Sequence, residues 1–418
     1  MSTFAIPLSG LEASSDALDV ISNNLANLNT DGFKSQTLTF GDIFAQVQGQ
    51  SGNGDPVQIG GGVTIGNTVS DFSNGTPDST GVAANMALQG NGFFVVGNSS
   101  GTSFTRDGDF SVNSAGQIID ANGDTVMGYQ ANAQGQIEQG SALAPISVNA
   151  AGAIPAQAST SFSTTTNLQA DSAAGTTFST PVNVTDSLGE TQALTITYTA
   201  GATPNTWDYS ITLPGAATGA AAATTLASGT MTFNSSGALQ STTPAATNNA
   251  ITGINIAGLA DGAANMNLSW NLNNASGSPV ITQQDSASAT TATDVNGYPA
   301  GTLTGFAVQS NGVVEGTFSN QQTLALGQVA VASFANPEGL TQTNGGEFQQ
   351  TAASGAAVIG QAGAGGNGTI TGGAVEESNV NLSTEFSNMI VAQQSYEANA
   401  KALTTLDQVS QATIQMIT

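Results

Sequence analysis

The sequence predicts an α+β fold in which paired, coiled-coil-like terminal α-helices enclose two mainly-β domains nested between them. Apolar residues recur at helical spacing near both ends of the 418-residue chain. The middle consists of short β-like runs separated by glycine-rich and asparagine-rich turns. A lone helix of this length is marginal in water, so the two apolar stripes are expected to bury each other and then neighbouring copies. The periodicity fits an ordinary helix pair that closes one globular domain equally well.

The first helix is predicted from about residue 3 to residue 28. Its acidic residues lie towards the N-terminal half, where the helix dipole favours negative charge. The segment that follows is rich in Asn and contains Gly32, and this composition favours a turn over continued helix. The apolar stripe of this helix is predicted to be an assembly interface, and it consists of Leu11, Leu18, Ile21, Leu25 and Leu28.

A second apolar stripe, near the C-terminus, predicts the partner helix. Its residues recur at three-, four- and seven-residue spacing, which places them on one side of a helix. We predict that they form the other half of the assembly interface, and they are Leu382, Phe386, Met389, Ile390, Tyr396, Leu403 and Leu406.

The order of these patterns predicts a nested domain organisation. Residues 1–32 and 374–418 form a terminal helical assembly domain, and residues 33–70 form a connector that is extended or flexible between 49 and 62. Residues 71–146 and 286–373 together form an inner β domain, into which residues 147–285 are inserted as an outer β domain. Insertion of one domain into an exposed loop of another is a tolerated arrangement.

The composition excludes several classes of function. Three basic residues, Lys34, Arg106 and Lys401, face 28 acidic residues, and the net charge is −25. Nucleic acid binding needs clustered positive charge and is excluded, and anionic membrane surfaces are disfavoured for the same reason. No apolar run approaches the ~20 residues that cross a bilayer, so membrane insertion is not expected. The sequence also lacks the pattern of a secretory signal peptide, so any export is expected to leave the N-terminus uncleaved.

No motif supports catalysis, a cofactor or a metal site. Cysteine and histidine are absent, which excludes thiol nucleophiles, histidine bases, disulfides and His/Cys zinc sites. The Asp107–Asp109 turn superficially suggests a calcium loop, but Val112 stands in place of the required glycine and Ile118 in place of the bidentate glutamate. Chemistry by carboxylates alone is the weakest remaining option.

Five local sequences carry a more specific signal. They are LDVISNNLANLNTDGFK at 18–34, LQGNGFFVV at 88–96, FTRDGDF at 104–110, and the tail segments EESNVNL at 376–382 and QQSYEANAK at 393–401. In this order they resemble the signatures of the flagellar rod and hook axial protein family. The signature residues are Asn23, Asn24, Asn27, Asn29, Thr30, Gly32, Phe33, Lys34, Ser378, Asn379 and Val380. Gln36 and Gln394 stand where many relatives carry Arg, so an ion pair made by those arginines cannot be carried over.

Within this family the chain is most similar to the hook branch. The segments NGYPAG at 296–301 and LGQVAVASFANPEGL at 326–340, together with the large inserted β domain, carry this resemblance. It implies a non-enzymatic structural subunit without cofactors, assembling as a homo-oligomer of many copies into a curved tubular universal joint between rod and filament. It also implies that the terminal helices line an export channel and that the protein has an extracellular location in the flagellum. The partners that it implies are rod, hook-cap and hook-filament junction proteins. A distal rod subunit and, from another class, an extracellular adhesin or surface-layer protein are the alternatives.

Overall fold

The computed structural model describes residues 4–43, 46–50, 56–98, 101–149 and 152–417. The chain divides into two compact units. Unit 1 comprises Met1–Ala151, Gly305–Gly316 and Thr323–Thr418, and unit 2 comprises Gly152–Thr304 and Thr317–Gln322. The sequence of unit 2 is therefore inserted between parts of unit 1. The finer division, with boundaries at residues 32, 70, 146, 285 and 373, stays a prediction.

The two ends of the chain form long helices that pack against each other. Helix α1 spans Ala5–Ala26, and the C-terminal helix spans Leu382–Ile417. Of the predicted first helix, residue 3 lies outside the described residues. The observed helix ends at Ala26, earlier than predicted, because the Asn27 side chain turns back to donate to the Asn23 carbonyl oxygen at 2.9 Å. The predicted fold class, terminal helices around a β-rich middle, is confirmed.

The remaining elements are strands, apart from short helical turns. In chain order, β1 to β12 of unit 1 are Gln36–Asp42, Gln46–Gln50, Pro56–Ile59, Val63–Ser70, Pro77–Ser79, Met86–Gln89, Phe93–Asn98, Gly101–Thr105, Ser111–Val112, Ile118–Ile119, Thr125–Gln130 and Ala144–Pro145. In unit 2, β13 to β17 are Ala153–Ile154, Ser161–Gln169, Thr177–Thr185, Thr191–Ala200 and Thr206–Leu213, followed by the short helix α2 at Gly215–Thr218. The next strands, β18 to β23, are Thr224–Phe233, Leu239–Thr243, Ala250–Ile256, Met266–Asn271, Ile281–Gln284 and Ala289–Val295. Finally, β24 to β31 are Gly301–Val308, Val313–Phe318, Thr323–Ser333, Thr341–Gln342, Glu347–Gln349, Val358–Gln361, Thr369–Gly372 and Ala374–Glu376, and α3 is the C-terminal helix.

Unit 1 is built on an antiparallel sheet with the strand order β26-β11-β7-β8-β28-β27. Its core contains the aromatic residues Phe93, Phe104 and Phe348, which bury their rings together with small side chains of β26. Two further pairings, β30 with β6 and β31 with β5, hold the segment before α3 against the first part of the chain. The start of α3 is thereby fixed by strands from both halves of unit 1.

The segment 33–70, predicted as a connector, contains strands. β1 pairs with β4 in antiparallel register from Gln36–Ser70 to Asp42–Val63, and β2 pairs with β3. The predicted flexible stretch, 49–62, overlaps β2 and β3, while residues 51–55 lie outside the described part of the chain. The Thr, Val and Ile residues of β1 and β4 are β-branched and favour this pairing over an unstructured link.

Unit 2 contains two five-stranded sheets that share one core. The first is an antiparallel meander in the order β15-β16-β17-β18-β19, and the second has the order β20-β21-β14-β22, with β23 also paired to β14. Along β16 every second residue is buried and the residues between them are exposed or partly buried, as expected for a strand with one face in the core. Trp207 and Trp270, the two tryptophans of the chain, are both buried in this core.

Among the described helices, none is both long enough and apolar enough to span a membrane.

Candidate functional site

The α1–α3 pair separates the predicted interface residues into two groups. Ile21 is buried, and Leu11, Leu18, Leu25, Leu28, Met389, Leu403 and Leu406 are partly buried. Four residues of α3 stay open: Leu382 is 42% exposed, Phe386 48%, Ile390 54% and Tyr396 38%. The helix pair therefore does not use the whole apolar surface of α3. The assignment of both groups to an assembly interface stays a prediction.

Small residues of α1, which the sequence analysis did not single out, line the closest approach to α3. A Cβ atom added at Gly10 would lie only 2.8 Å from Asn399 Nδ2. Ala13 and Ser14 are buried on the same side of the helix. Because these side chains are short, they leave an open groove of about 630 Å³ between α1, β1 and α3, with a mainly apolar lining that includes Leu38 and Val391. A count of small residues at helical spacing could have located this face.

Asn24 connects three segments of the chain. Its side chain accepts the Gln36 N–H at 2.9 Å and donates to the Gln36 carbonyl oxygen at 2.8 Å, as a strand neighbour would. The same amide group donates to Glu385 Oε1 at 3.2 Å, which links α1 to the first turn of α3. The Gln36 side chain in turn donates to Gln342 Oε1 at 2.6 Å. At this position, where the sequence analysis expected Arg, the Gln36 side chain makes a hydrogen bond.

Asn379, which lies just before α3, also connects separate segments of the chain through its side-chain amide. Its side-chain oxygen accepts the Ser35 N–H at 2.8 Å, and its amide group donates to the carbonyl oxygens of Asp71 at 2.8 Å and Ser73 at 3.2 Å. Together with the Asn24 contacts, this defines the terminal junction, formed by residues 24–36, 71–76 and 376–385. The junction holds the end of α1 beside the start of α3 through side-chain amides that mimic backbone pairing.

A buried ion cluster lies at the centre of the terminal junction. Lys34 Nζ is 2.6 Å from Glu376 Oε1, and Arg106 Nη1 is 3.4 Å from Glu376 Oε2. The Glu376 side chain is completely buried, and its Oε1 also accepts the Gly75 N–H at 2.8 Å. Two of the three basic residues of the chain thus pair with a single carboxylate. These partners come from three distant parts of the sequence.

Further donors and acceptors surround the two cations. Lys34 donates to the Ser73 carbonyl oxygen at 2.8 Å, and Arg106 donates to the Gly90 carbonyl oxygen at 2.8 Å while lying over the Phe93 ring at 5.3 Å. Burial lowers the pKa of Lys34 and of Arg106, and the charge of Glu376 opposes both shifts. The cluster therefore depends on Glu376, because it is the carboxylate that pairs with both buried cations.

The other signature residues shape the turn after α1 and the entry to α3. Thr30 donates to Asn27 Oδ1 at 3.1 Å, and the Gly32 N–H donates to the Glu376 carbonyl oxygen at 2.7 Å. Gly32 has φ +68°, and a Cβ there would lie 2.5 Å from the Asp107 nitrogen, so the position requires glycine. The Asn23 carbonyl oxygen accepts a hydrogen bond from the Asn27 side-chain amide. The Phe33 carbonyl oxygen accepts the Asn379 N–H at 3.4 Å. Ser378 Oγ accepts the N–H of the buried Val380 at 3.4 Å. Asn29 is exposed, and Gln394 is exposed on α3.

Acidic residues crowd one side of the terminal junction. Burial raises the pKa of Asp107 to about 6, and the negative charges of Asp109, Asp31 and Asp120 add to the shift. The Asp109 N–H, which donates to Asp107 Oδ1 at 2.9 Å, opposes it. Burial also raises the pKa of Asp31, with smaller contributions from Asp109 and other acids. Both shifts mean that the folded junction favours protonated carboxyl groups.

Replacing Asp107 with Asn is expected to remove a pH dependence of unit 1. The folded pKa of about 6 exceeds the unfolded value of about 4, so the protonated group stabilises the fold below about pH 4, and this contribution is lost as the pH rises through about 6. D107N should therefore match the wild type near pH 4 and exceed its free energy of unfolding by up to about 3 kcal/mol at pH 7. Denaturant titrations at both pH values measure this. The exposed Asp171→Asn of unit 2 is the control, and an equal D107N effect at both pH values would contradict the prediction.

One group of carboxylates has a geometry in which a cation could be held. Oxygens of Asp120, Asp124 and Glu347 lie within 4.8 Å of one another, and all three residues are buried. Local donors already engage it: Asp120 Oδ1 accepts the Asn122 and Asp124 N–H groups, and Asn122 donates to Glu347 Oε1 at 3.0 Å. Burial raises the pKa of Glu347, which favours its neutral form. These contacts explain the group without a cation: it forms a turn that anchors β28. The absence of a metal site stays a prediction.

Both family models and individual relatives among known proteins match this chain. Four models match in chain order: Flagella basal body rod protein over residues 6–34, Flagellar hook protein FlgE/F/G D1 domain over 87–156, Flagellar basal body protein FlaE D2 domain over 157–298, and Flagellar basal body rod FlgEFG protein C-terminal over 371–416. The Flagellar hook protein FlgE of Salmonella typhimurium is 35% identical over 97% of this chain and 98% of that protein. The chain belongs to the flagellar hook protein family.

Other members of the flagellar hook protein family align over similar lengths. The hook protein of Escherichia coli is 34% identical over 97% of this chain and 98% of that protein, and that of Borreliella burgdorferi is 30% identical over 98% of both. The crystal structure of Helicobacter pylori flagellar hook protein FlgE2 matches with a TM-score of 0.50 and 13% identity, covering 71% of this chain and 98% of that chain. The structural match supports the hook protein fold. The suspected resemblance to flagellar hook proteins is confirmed.

Proposed function

We propose that this chain is the structural subunit of the bacterial flagellar hook, a homo-oligomer of many copies in a curved tube that acts as a universal joint between rod and filament. The observation that carries the proposal is the near full-length match to hook proteins of three species. These relatives are named as hook proteins, which favours this role over a distal rod subunit and over an adhesin or surface-layer protein. No enzymatic activity or cofactor is part of the proposed role.

The surface of α3 supports polymerisation. Phe386 and Ile390 are about half exposed, although side chains of this type normally lose water on folding. Neighbouring copies in a tube would cover them. In the proposed assembly the terminal helices form the inner layer around an export channel, as the family resemblance implies, and the subunit lies in the extracellular part of the flagellum. Rod, hook-cap and hook-filament junction proteins are the proposed partners at the ends of the tube.

A universal joint must resist twisting and still bend during each rotation. We assign the first property to the helical layer with its apolar seams, and the second to β surfaces that carry few charges. The chain has a charged fraction of only 7%, so one β surface can slide over another while few ion pairs break. Electron microscopy of the purified, polymerised protein tests the proposal: curved tubes are expected, and straight tubes would favour the distal rod alternative. In a map of the curved tube, identical contacts between β domains on the inner and outer curve would contradict the sliding mechanism.

Polymerisation is expected to strengthen with added salt. Copies with a net charge of −25 repel one another, and salt shortens the screening length from ~30 Å at 0.01 M to ~8 Å at 0.15 M. Sedimentation of polymer from monomer at increasing sodium chloride concentration measures the critical concentration for assembly, which should fall over this range. An isosmotic series in a neutral solute at constant low salt serves as the control. A critical concentration that stays constant or rises with salt would contradict the prediction.

A further inference from the structure

Lys401 is the one basic residue that the ion cluster does not use. It is exposed on α3, whereas Lys34 and Arg106 are both paired to Glu376. Among the residues that the structure describes, no carboxylate oxygen lies within 4.0 Å of Lys401 Nζ. A chain with 28 acidic residues thus presents a single exposed cation. The position of Lys401 on the surface therefore indicates where an acidic partner surface could bind.

Lys401 lies on the side of α3 that faces away from α1. At 100° per residue it is about 160° around the helix from Glu385, which contacts α1 through Asn24. The exposed side chains of Phe386 and Ile390 precede it by 15 and 11 positions, a spacing that places all three on the same side of the helix. We call the side with Phe386, Ile390 and Lys401 the outer face of α3. It combines apolar area with one positive charge, Lys401, and with the exposed acid Glu397, which lies one turn before Lys401 and forms no ion pair with it.

Helix α1 carries the complementary charge. Glu12, Asp16 and Asp19 follow one another at spacings of four and three residues, so they form one acidic stripe. Glu12 and Asp19 are exposed and Asp16 is partly exposed, and no Lys or Arg occurs between Ala5 and Ala26 to neutralise them. Ile21, which is buried, lies on the other side of the helix. The stripe therefore points away from the packed side of α1.

We propose that the outer face of α3 in one copy binds the acidic stripe of α1 in a second copy, with Lys401 pairing to Glu12, Asp16 or Asp19. This inference rests on the proposed polymerisation and names a contact within it. Each copy carries both halves of the contact on different surfaces, and such head-to-tail contacts generate open helical polymers. Pairing of this cation with the stripe limits the register to the positions that bring Lys401 beside one of these three acids, and it offsets part of the repulsion between acidic copies.

Charge reversal with rescue tests the contact. Lys401→Glu is expected to raise the critical concentration for assembly by about tenfold or more, because it replaces an attraction by a repulsion. Lys401→Arg should stay within about threefold of the wild type, since the charge is kept. Lys401→Glu combined with Asp16→Lys should restore assembly. The matched control combines Lys401→Glu with Asp171→Lys, which changes an exposed acid of unit 2 and also keeps the net charge at −25. It should not restore assembly.

The outcomes separate this inference from the proposed function. A wild-type protein that forms no polymer at any salt concentration overturns both. If the wild type polymerises, two results overturn the contact alone: a Lys401→Glu variant that assembles like the wild type, or rescue by Asp16→Lys, Glu12→Lys and Asp19→Lys that in no case exceeds the Asp171→Lys control. Circular dichroism of each monomer confirms that the variants fold alike before assembly is compared.

Discussion

Glu376→Gln is expected to lower the free energy of unfolding of unit 1 by about 3–5 kcal/mol at neutral pH. The substitution keeps the size of the side chain and removes its charge. Lys34 and Arg106 would then be buried without a counter-ion, since the Glu376 carboxylate pairs with both of them. Breaking a buried ion cluster by removing one partner is costly because the remaining charges have already lost their water.

The location of the two tryptophans makes this measurement specific. Trp207 and Trp270 both lie in unit 2, so tryptophan fluorescence during denaturant titration reports on unit 2, whereas far-ultraviolet circular dichroism includes unit 1. E376Q should shift the transition that fluorescence does not follow. The adjacent Glu377 is exposed and accepts a hydrogen bond from Thr76, so E377Q serves as the matched control and should change stability by less than about 0.5 kcal/mol. Equal effects of both variants would contradict the assigned role of the cluster.

The sequence alone could indicate the members of this cluster but not their contact. Lys34, Arg106 and Glu376 each belong to a family-like motif, and Lys34 and Arg106 are two of only three basic residues in the chain. The partners Lys34 and Glu376 are 342 positions apart, however, and 28 acids compete for three basic residues. Only the long-range pairing of β31 with β5 selects Glu376. Ion pairs across such separations follow from topology and cannot be deduced from spacing.

The structure of the terminal helices could likewise be predicted only in part from the sequence. Heptad spacing correctly predicted both terminal helices and their association, because large apolar residues at regular positions leave few alternatives. It gave no weight to Gly10, Ala13 and Ser14, whose short side chains set the close approach to α3. An ambiguous sequence pattern explains why residues 33–70 were predicted as a connector. β-branched residues interrupted by Gly and Gln fit both an extended link and the observed β1–β4 pair, and only the pairing partner distinguishes the two structures.

The length difference between α1 and α3 leads to the second large expected effect. Asn24 contacts Glu385, and Gly10 lies beside Asn399, so the helices run antiparallel and α1 reaches no further than about residue 404 of α3. We call residues 406–417 the α3 extension, which at 1.5 Å per residue projects by roughly 18 Å. It carries one charge, Asp407, and the exposed side chains of Val409 (58%) and Met416 (80%). A helix of this length is marginal in water, so we expect neighbouring copies to pack against the exposed side chains of Val409 and Met416.

Deleting residues 406–418 is therefore expected to weaken polymerisation strongly while both units stay folded. Burial of even two apolar side chains contributes about 3–6 kcal/mol per contact, so the critical concentration should rise at least about a hundredfold. Sedimentation measures this rise, and unchanged tryptophan fluorescence reports the fold of unit 2. A point-variant pair separates apolar contact from helix length: Val409→Ser with Met416→Ser should weaken assembly, whereas Gln408→Ser with Thr413→Ser should not. If both pairs weaken assembly equally, the α3 extension acts through its helical length, because loss of apolar contact would affect only the first pair.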